Sequence, residues 1–166
     1  MHAGHPRRYK EPMENGDFEQ TGATAGIWRA LDASANRAGE ALRVVEDAVR
    51  FVLDDARLTA VAKDLRHALA SLLAGGALRH RVAARDVGGD VGIGVEPEAT
   101  PGRSSPADLI AANASRAAQA LRSLAECAAV VAPEAAAGFK RLRYRLYDLE
   151  RGALTAARAQ IGRAHV

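Results

Sequence analysis

Apolar residues recur at helical spacing along most of the chain. Between residues 31 and 52 they follow one another at alternating steps of four and three, which is the seam of an amphipathic helix. A second seam occupies residues 58–72, after the cap signal Asp54-Asp55 and before Gly75-Gly76, a pair typical of a helix end. The pattern predicts two helices joined in a hairpin.

Two further helices are predicted in the second half of the chain. Ser105, Pro106 and Asp108 supply a hydroxyl cap, a proline for the first turn and an acid near the positive helix end. This third helix is expected to run to about Ala132. Pro133-Glu134 then opens a fourth helix, whose apolar positions again recur at steps of four and three.

Two segments lack a helical pattern. Residues 1–26 have no apolar periodicity, which predicts a flexible tail. Residues 78–103 are rich in Gly and charge, which predicts a long central loop of a kind that is usually functional or disordered. Its RDVGGDVG stretch would let backbone N–H groups approach a phosphate, and Asp86 and Asp90 carry the oxygen ligands that Mg²⁺ prefers. A plain flexible loop fits this composition equally well.

The two halves of the chain share a design. Shifting the sequence by 79 positions lays residues 31–52 over 110–131, and a shift of 77 lays residues 63–72 over 140–149. Matched cations are the informative part of this overlap, because apolar patterning does not require them. They form the pairs Arg43/Arg122, Lys63/Lys140 and Arg66/Arg143.

This repeat predicts an all-α fold, a bundle of four main helices built from two repeated hairpins with a long Gly-rich central loop. Equivalent cations would then face one another across a shared cleft and suit a ligand that carries several phosphates. On the spacing of polar residues alone, the first helix is better explained by a solvated face with helical ion pairs, and the repeated cations favour the ligand site.

Composition narrows the classes of protein. Aromatic residues make up 4% of the 166 residues, which favours close-packed helices in one domain. Cys127 is the only cysteine, so no internal disulfide forms and a cytoplasmic location is expected. No apolar run approaches the roughly 20 residues that span a bilayer, and the N-terminus lacks the apolar core of a signal peptide. Neither a membrane nor export is expected.

The charge balance suits an anionic partner without naming it. Lys and Arg number 23 against 20 Asp and Glu, a net charge of +3. Acids interleaved with the arginines of the first helix argue against nucleic acid, which favours a basic stripe. A small phosphorylated ligand fits better, bound either by an enzyme or by a non-catalytic helical bundle. Exposed alanine faces would also allow a homodimer.

Several separated motifs resemble one family. They are NRAGEALRVVEDAVRF, ARDVGGDVG, RSSPADLIAANASRAAQALR and FKRLRYRLYDLE, in this order between about residues 27 and 151. Together they resemble the small monofunctional hydroxymethylpyrimidine phosphate kinases, a helical domain often fused ahead of thiamine phosphate synthase. The resemblance implies ATP-dependent phosphorylation of 4-amino-5-hydroxymethyl-2-methylpyrimidine phosphate to the diphosphate that the synthase consumes. It also implies no action on the unphosphorylated alcohol.

The motif positions imply a site that draws on both halves of the chain. Our hypothesis gives catalytic roles to Arg43, Arg85, Asp86, Asp90 and Arg122. Substrate and ATP would be bound by the other polar positions of the motifs, namely Asn36, Arg37, Glu40, Arg50, Lys63, Arg66, Arg103, Asn113, Arg116, Lys140 and Arg143. Mg²⁺ would be held by Glu46, Asp47, Asp86 and Asp90.

The family pattern is broken in one stretch of the third helix. Gln119 stands where Glu is usual, and Ala125 replaces the first acid of an acidic pair that Glu126 completes. Cys127 occupies a position where an aromatic residue is common. Residues 119–127 are therefore where the family roles transfer least directly.

The end of the chain has a different character. QIGRAHV can be encoded by a common sequencing-adapter oligonucleotide, so residues 159–166 are expected to be an assembly artefact and the natural chain to continue. The helical kinase domain is accordingly expected to span residues 27–158. No function is assigned to His165.

Overall fold

The computed structural model describes residues 15–86, 88–89 and 102–164, and over these residues the chain is all-α without a β-strand. In chain order the elements are α1 (Asn15–Asp47), a π-helical turn (Ala48–Val52), α2 (Ala56–Ala74), a 3₁₀ helix (Gly76–Ala84), α3 (Pro106–Val131) and α4 (Pro133–Ala164). None of the helices in these ranges is long and apolar enough to cross a membrane.

Helix starts agree with the capping signals in the sequence. The Asp55 carboxylate accepts a hydrogen bond from the Leu58 backbone N–H at 2.8 Å and caps α2. Ser105 caps α3 by accepting from the Asp108 backbone N–H at 3.1 Å, and Pro106 occupies the first turn. α4 begins at Pro133. The predicted starts of these three helices are confirmed.

Three boundaries differ from the sequence prediction. α1 begins at Asn15, so residues 15–26 are helical where the pattern predicts a flexible tail. Residues 22–25 are solvent-exposed, and an exposed stretch of helix needs no apolar seam. Gly76–Ala84 forms a 3₁₀ helix inside the predicted loop, because i→i+3 hydrogen bonds do not require the α-helical period. α4 continues to Ala164, past the expected boundary at residue 158.

The helices bury their seams in one core. α3 packs along both α1 and α4, while α2 packs against the same two helices from another side. Gly138 lets α4 approach α2 closely, since a Cβ there would lie 2.8 Å from Cδ2 of Leu72. The largest fully buried side chains include Leu31, Leu42, Leu65, Leu69, Ile110, Leu121, Leu124, Phe139 and Leu146. Burial of these side chains fixes which faces of α1 and α3 remain available for functional residues.

Candidate functional site

A cleft of about 810 Å³ opens between the middle of α1, the segment after the 3₁₀ helix, and α3. Its polar lining therefore comes from three separate places in the sequence. The polar side chains are Arg29, Asp32, Ser34, Asn36 and Arg37 from α1, Arg85 and Asp86 from the segment, and Ser123 and Cys127 from α3.

Helical spacing brings these residues to the same side of their helices. Arg29, Asp32 and Asn36 follow one another at steps of three and four, so they lie above one another on one face of α1. Ser123 and Cys127 are four residues apart and share a face of α3 in the same way. The wall of the cleft is thus set by two rigid helices.

Asp32 holds the segment after the 3₁₀ helix, which forms the third wall of the cleft. This residue is buried, at 3% exposure, and its Oδ2 accepts from Nε of Arg85 at 2.8 Å, with Nη2 of Arg85 2.7 Å away. Nε of Arg81 lies 3.5 Å from Oδ1, too poorly aligned for a hydrogen bond. Two guanidiniums therefore balance one buried carboxylate. The Arg85 side chain remains 46% exposed, so its guanidinium is held in place and still faces the cleft.

Arg81 connects the 3₁₀ helix to its neighbours through hydrogen bonds and an ion pair. Its Nη1 donates to the backbone carbonyls of Leu73 at 3.0 Å and Leu78 at 3.2 Å. These bonds join the end of α2 to the 3₁₀ helix, and the ion pair with Asp32 joins both to α1. Arg85 therefore follows a 3₁₀ helix that these contacts hold against α1 and α2.

Asp86 is the accessible acid of the cleft. Its Oδ1 accepts from the backbone N–H of Gly89 at 2.9 Å, and its Oδ2 lies 3.4 Å from Nη1 of Arg29. A Cβ at position 89 would lie 2.3 Å from Oδ2, so glycine is required for this close approach. The Asp86 side chain is 56% exposed and keeps oxygen lone pairs available for a ligand or cation.

The cleft carries a net positive charge. Arg29, Arg37 and Arg85 face two acids, Asp32 and Asp86, and the charge of Asp32 is compensated inside the protein. Guanidinium groups match the geometry of phosphate oxygens, and the serine and asparagine side chains add neutral hydrogen-bond donors. The arrangement suits a phosphorylated ligand.

Cys127 is a poor nucleophile. Burial raises the pKa of its thiol, and the nearby charge of Glu126 raises it further. The thiol is therefore protonated at neutral pH, whereas nucleophilic attack requires the thiolate. Cys127 lines the cleft as a small, weakly polar side chain.

A second groove, of about 410 Å³, lies between α3 and α4. Arg122 donates from Nε to the Glu126 carboxylate at 2.8 Å on its outer edge. Nε of Arg143 is buried and has no hydrogen-bond partner in the part of the chain that the structure describes. The side chains that line the groove are Ser115, Ala118, Gln119, Arg122, Arg143, Tyr147 and Glu150.

Glu46 is engaged elsewhere. It is buried between α1 and α2, where Nε of Arg66 donates to its Oε2 at 2.6 Å. This hydrogen bond, opposed by desolvation and assisted by the charges of Glu46 and Asp47, raises the pKa of Arg66. Among the described residues there is no group of three or more His, Cys, Asp or Glu side chains able to hold a metal ion.

The family affiliation follows from a comparison of sequences. The model of the ThiD2 family matches residues 29–152, which contain the polar side chains of both the cleft and the groove. The chain belongs to the ThiD2 family. No solved structure matches it.

Curated relatives of this ThiD2-family chain are named thiamine-phosphate synthase. The protein from Rhodopirellula baltica is 40% identical over 121 residues, covering 73% of this chain and 32% of the relative. The one from Gloeobacter violaceus is 42% identical over 124 residues, covering 75% and 35%. The one from Synechocystis sp. is 42% identical over 137 residues, covering 82% and 38%. The chain spans about a third of the length of these relatives.

Four of the ThiD2 site residues predicted from motifs meet in the cleft. They are Asn36, Arg37, Arg85 and Asp86, which come from two segments far apart in the sequence. Arg122 and Arg143 instead line the α3–α4 groove. Asp90, predicted to act in catalysis and metal binding, lies outside the described residues.

The equivalent cations Arg66 and Arg143 do not meet in either of these two cavities. Arg66 stays within the first hairpin, bonded to Glu46, whereas Arg143 faces the groove of the second hairpin. Asn113 is buried and donates from Nδ2 to the Leu109 carbonyl at 2.8 Å. The predicted site residues that line neither the cleft nor the groove are Glu40, Arg43, Glu46, Asp47, Arg50, Lys63, Arg66, Arg103, Asn113, Arg116 and Lys140.

Sequence reasoning missed Arg29, Asp32 and Arg81. A signal for the first two was present, because stepping back from Asn36 by four and then three residues along the same helical face reaches them. Arg81 carried no such signal, since it lies in a 3₁₀ helix whose period the α-helical pattern does not follow. The cleft therefore extends about two turns further toward the N-terminus of α1 than the predicted residues Asn36 and Arg37.

Proposed function

We propose that this ThiD2-family chain transfers a phosphoryl group from ATP to 4-amino-5-hydroxymethyl-2-methylpyrimidine phosphate and forms the diphosphate. The observation that carries the proposal is the convergence of Asn36, Arg37, Arg85 and Asp86 in one positively charged cleft. The names of the relatives support a role in thiamine biosynthesis. The product would be the diphosphate that a thiamine-phosphate synthase uses.

Charge neutralisation is the main task in this reaction. Donor and acceptor both carry negative phosphates, and bringing them in line requires cations at fixed positions. Arg85 meets this need best, since its guanidinium is anchored by Asp32 and still faces the cleft. Arg29 and Arg37 would bind the remaining phosphate oxygens, and Asn36 and Ser123 would bind polar groups of the ligand.

The proposed reaction needs no dedicated base. A phosphate monoester has a second pKa near 6, so the attacking oxygen is largely ionised at neutral pH. This oxygen forms a bond to the γ-phosphorus of ATP, and the bond between that phosphorus and the β–γ bridging oxygen breaks. ADP leaves with the bridging oxygen. Arg85 and the neighbouring guanidiniums would stabilise the charge on the oxygens during transfer.

Mg²⁺ is compatible with the residues of the cleft. Mg²⁺ is usually held by one or two carboxylates together with substrate phosphates and water. Asp86 provides one accessible carboxylate, and Asp90 is the second candidate. When bound, the ion would neutralise phosphate charge beside these acids. Glu46 and Asp47 are not part of this proposal, because Glu46 is paired with Arg66 and neither lines the cleft.

The proposed architecture is a duplicated hairpin. Pairing α1 with α3 and α2 with α4 by the sequence repeat matches buried positions with buried positions in both halves. Examples are Leu31 with Ile110, Leu42 with Leu121, Val45 with Leu124, Leu65 with Leu142 and Leu69 with Leu146. The proposed reaction uses ATP, which fits a cytoplasmic enzyme.

The direct test compares two arginine variants. ADP release would be measured with Mg-ATP and the pyrimidine phosphate for the wild type, Arg85→Ala and Arg151→Ala. Arg151 pairs with Asp148 on the exposed face of α4 and serves as the matched control. We expect turnover to fall about 100-fold in Arg85→Ala and to stay normal in Arg151→Ala. Equal turnover in all three would remove Arg85 from the mechanism, and binding without ADP release would favour a non-catalytic binding protein.

A further inference from the structure

We infer that the groove between α3 and α4 is a second phosphate-binding site, separate from the cleft, with Arg143 as its central cation. The inference concerns binding alone and stands whether or not phosphoryl transfer occurs in the cleft. It rests on an unpaired buried guanidinium nitrogen, on the loss of its acid partner, and on the side chains around it.

Arg143 lacks the carboxylate partner that Arg66, its equivalent in the first hairpin, has. The repeat matches Arg143 with Arg66 and Ala125 with Glu46. In the first hairpin Glu46 receives a hydrogen bond from Nε of Arg66 at 2.6 Å. In the second hairpin Ala125 offers no carboxylate, and Nε of Arg143 is buried without a hydrogen-bond partner among the described residues. The Arg143 side chain is partly exposed, and its Cζ lies 5.8 Å from the centroid of the Tyr144 ring. Because no carboxylate of the described residues pairs with this guanidinium, an external oxyanion would be bound favourably by its terminal nitrogens.

Ala125 lies on the side of α3 that forms the groove. Ala118, Arg122 and Ala125 follow one another at steps of four and three and therefore share a helical face. Ala118 and Arg122 both line the groove. Ala125 itself is buried below this lining. The difference between Glu46 and Ala125 therefore removes one negative charge from the groove face of α3.

The remaining lining suits a small phosphorylated compound. Arg122 and Arg143 line the groove with Glu150, and Arg122 is ion-paired with Glu126. Arg143 is therefore the guanidinium of the groove that has no carboxylate partner among the described residues. The repeat matches Gln119 with Glu40, so this position is neutral in the second hairpin. Tyr147 presents a half-exposed ring on which a planar group can lie. The groove volume of about 410 Å³ is within the range of small-molecule sites. The phosphate could belong to a nucleotide or to a pyrimidine phosphate.

The test follows the NMR signal of the Arg143 side chain directly. Arginine Nε–Hε signals in ¹⁵N NMR spectra would be followed while the full chain is titrated with inorganic pyrophosphate, with the Arg143 signal assigned from its absence in Arg143→Gln. We expect saturable shifts of the Arg143 and Arg122 signals. In Arg143→Gln the pyrophosphate affinity read from the Arg122 signal should fall about tenfold. Arg141→Gln, which changes an exposed neighbour on α4, should leave this affinity unchanged.

Ala125→Glu and Ala125→Gln separate charge from volume. Glutamate at this position would pair with Arg143 as Glu46 pairs with Arg66, and the pyrophosphate response of Arg143 should disappear. Glutamine has nearly the same volume without the charge, so the response should persist. Loss in both variants, or no shift of Arg143 in the wild type, would overturn the inference. Displacement of pyrophosphate from Arg143 by ADP or by the pyrimidine phosphate would identify the source of the phosphate, and displacement by neither would contradict a metabolite site.

Discussion

Asp32 holds Arg85 at the rim of the cleft through two nitrogens of one guanidinium, both within 2.8 Å of a single carboxylate oxygen. The two residues are 53 positions apart, so this contact ties the segment after the 3₁₀ helix to the middle of α1. Asp32 is buried and Arg85 is 46% exposed, so the carboxylate is shielded from water and salt while the guanidinium still reaches the cleft. The contact sets the position of the cation that the proposed reaction depends on most.

Loss of the Asp32 carboxylate should harm both stability and turnover. Asp32→Ala leaves the partly buried Arg81 without its acid and frees Arg85, so we expect a loss of about 3 kcal/mol in the free energy of unfolding. Asp32→Asn, which keeps the volume, should lower kcat more than it raises KM, since Arg85 is displaced rather than removed. Urea unfolding and steady-state kinetics measure the two effects. Asp148→Asn, which breaks an exposed pair with Arg151, is the control and should change neither.

Gly89→Ala should reduce activity without unfolding the protein. The new Cβ would collide with the Asp86 carboxylate at 2.3 Å and push it away from the Gly89 N–H and from Arg29. Position 89 is exposed, so the core is unaffected. Gly102→Ala is the matched control, because a Cβ at that exposed glycine meets nothing within 4 Å. Equal activities for the two variants would show that the position of Asp86 is unimportant.

Alkylation of Cys127 should be slow at neutral pH and sensitive to ligand. Burial raises the thiol pKa, so the reaction with iodoacetamide is expected to accelerate only at pH values above the usual thiol range. Because the raised pKa keeps the folded thiol neutral while the unfolded thiol ionises first, stability should fall as pH rises above the unfolded pKa. Mg-ATP with the pyrimidine phosphate should protect Cys127, which lines the cleft. Mass-spectrometric labelling rates, measured across pH and with and without ligand, test the slow alkylation and the protection by ligand.

Ser104 should control the titration of Asp108 at the start of α3. The Ser104 hydroxyl donates to the Asp108 carboxylate at 2.6 Å, and this bond, followed by the bond with Ser105, lowers the carboxyl pKa. Because the folded pKa lies below the unfolded one, the stabilisation is present above the unfolded value and is lost as pH falls through the folded value. Ser104→Ala should raise the Asp108 pKa toward its ordinary value, as measured by NMR titration. An unchanged pKa would assign the shift to Ser105 and the helix end.

The sequence was most informative where one local rule decides the structure. Asp55, Ser105 and Pro133 mark helix starts because the cap or proline acts within one turn, independent of the rest of the fold. Apolar seams likewise identify the core, since burial and helical period coincide. The helical residues 22–25 escaped the same rule because they are exposed, and an exposed stretch of helix leaves no apolar seam.

The site was harder to predict because it depends on contacts between distant segments. The motifs indicate which residues carry charge, yet they do not tell whether a cation meets a ligand or a carboxylate of its own protein. Arg66 is paired with Glu46, whereas Arg85 is held by Asp32 and still faces the cleft. Only the packing of α1 against α2 and the 3₁₀ helix distinguishes these two fates.

The central claim is tested most directly by the mass of the product. The chain would be incubated with Mg-ATP and either the pyrimidine phosphate or the free hydroxymethylpyrimidine, and both the pyrimidine species and ADP would be quantified. We predict that the phosphate is converted to the diphosphate with one ADP formed per product molecule, and that the free alcohol is not phosphorylated. Absence of the diphosphate, under conditions where the chain is folded and binds ATP, would contradict the proposed kinase activity.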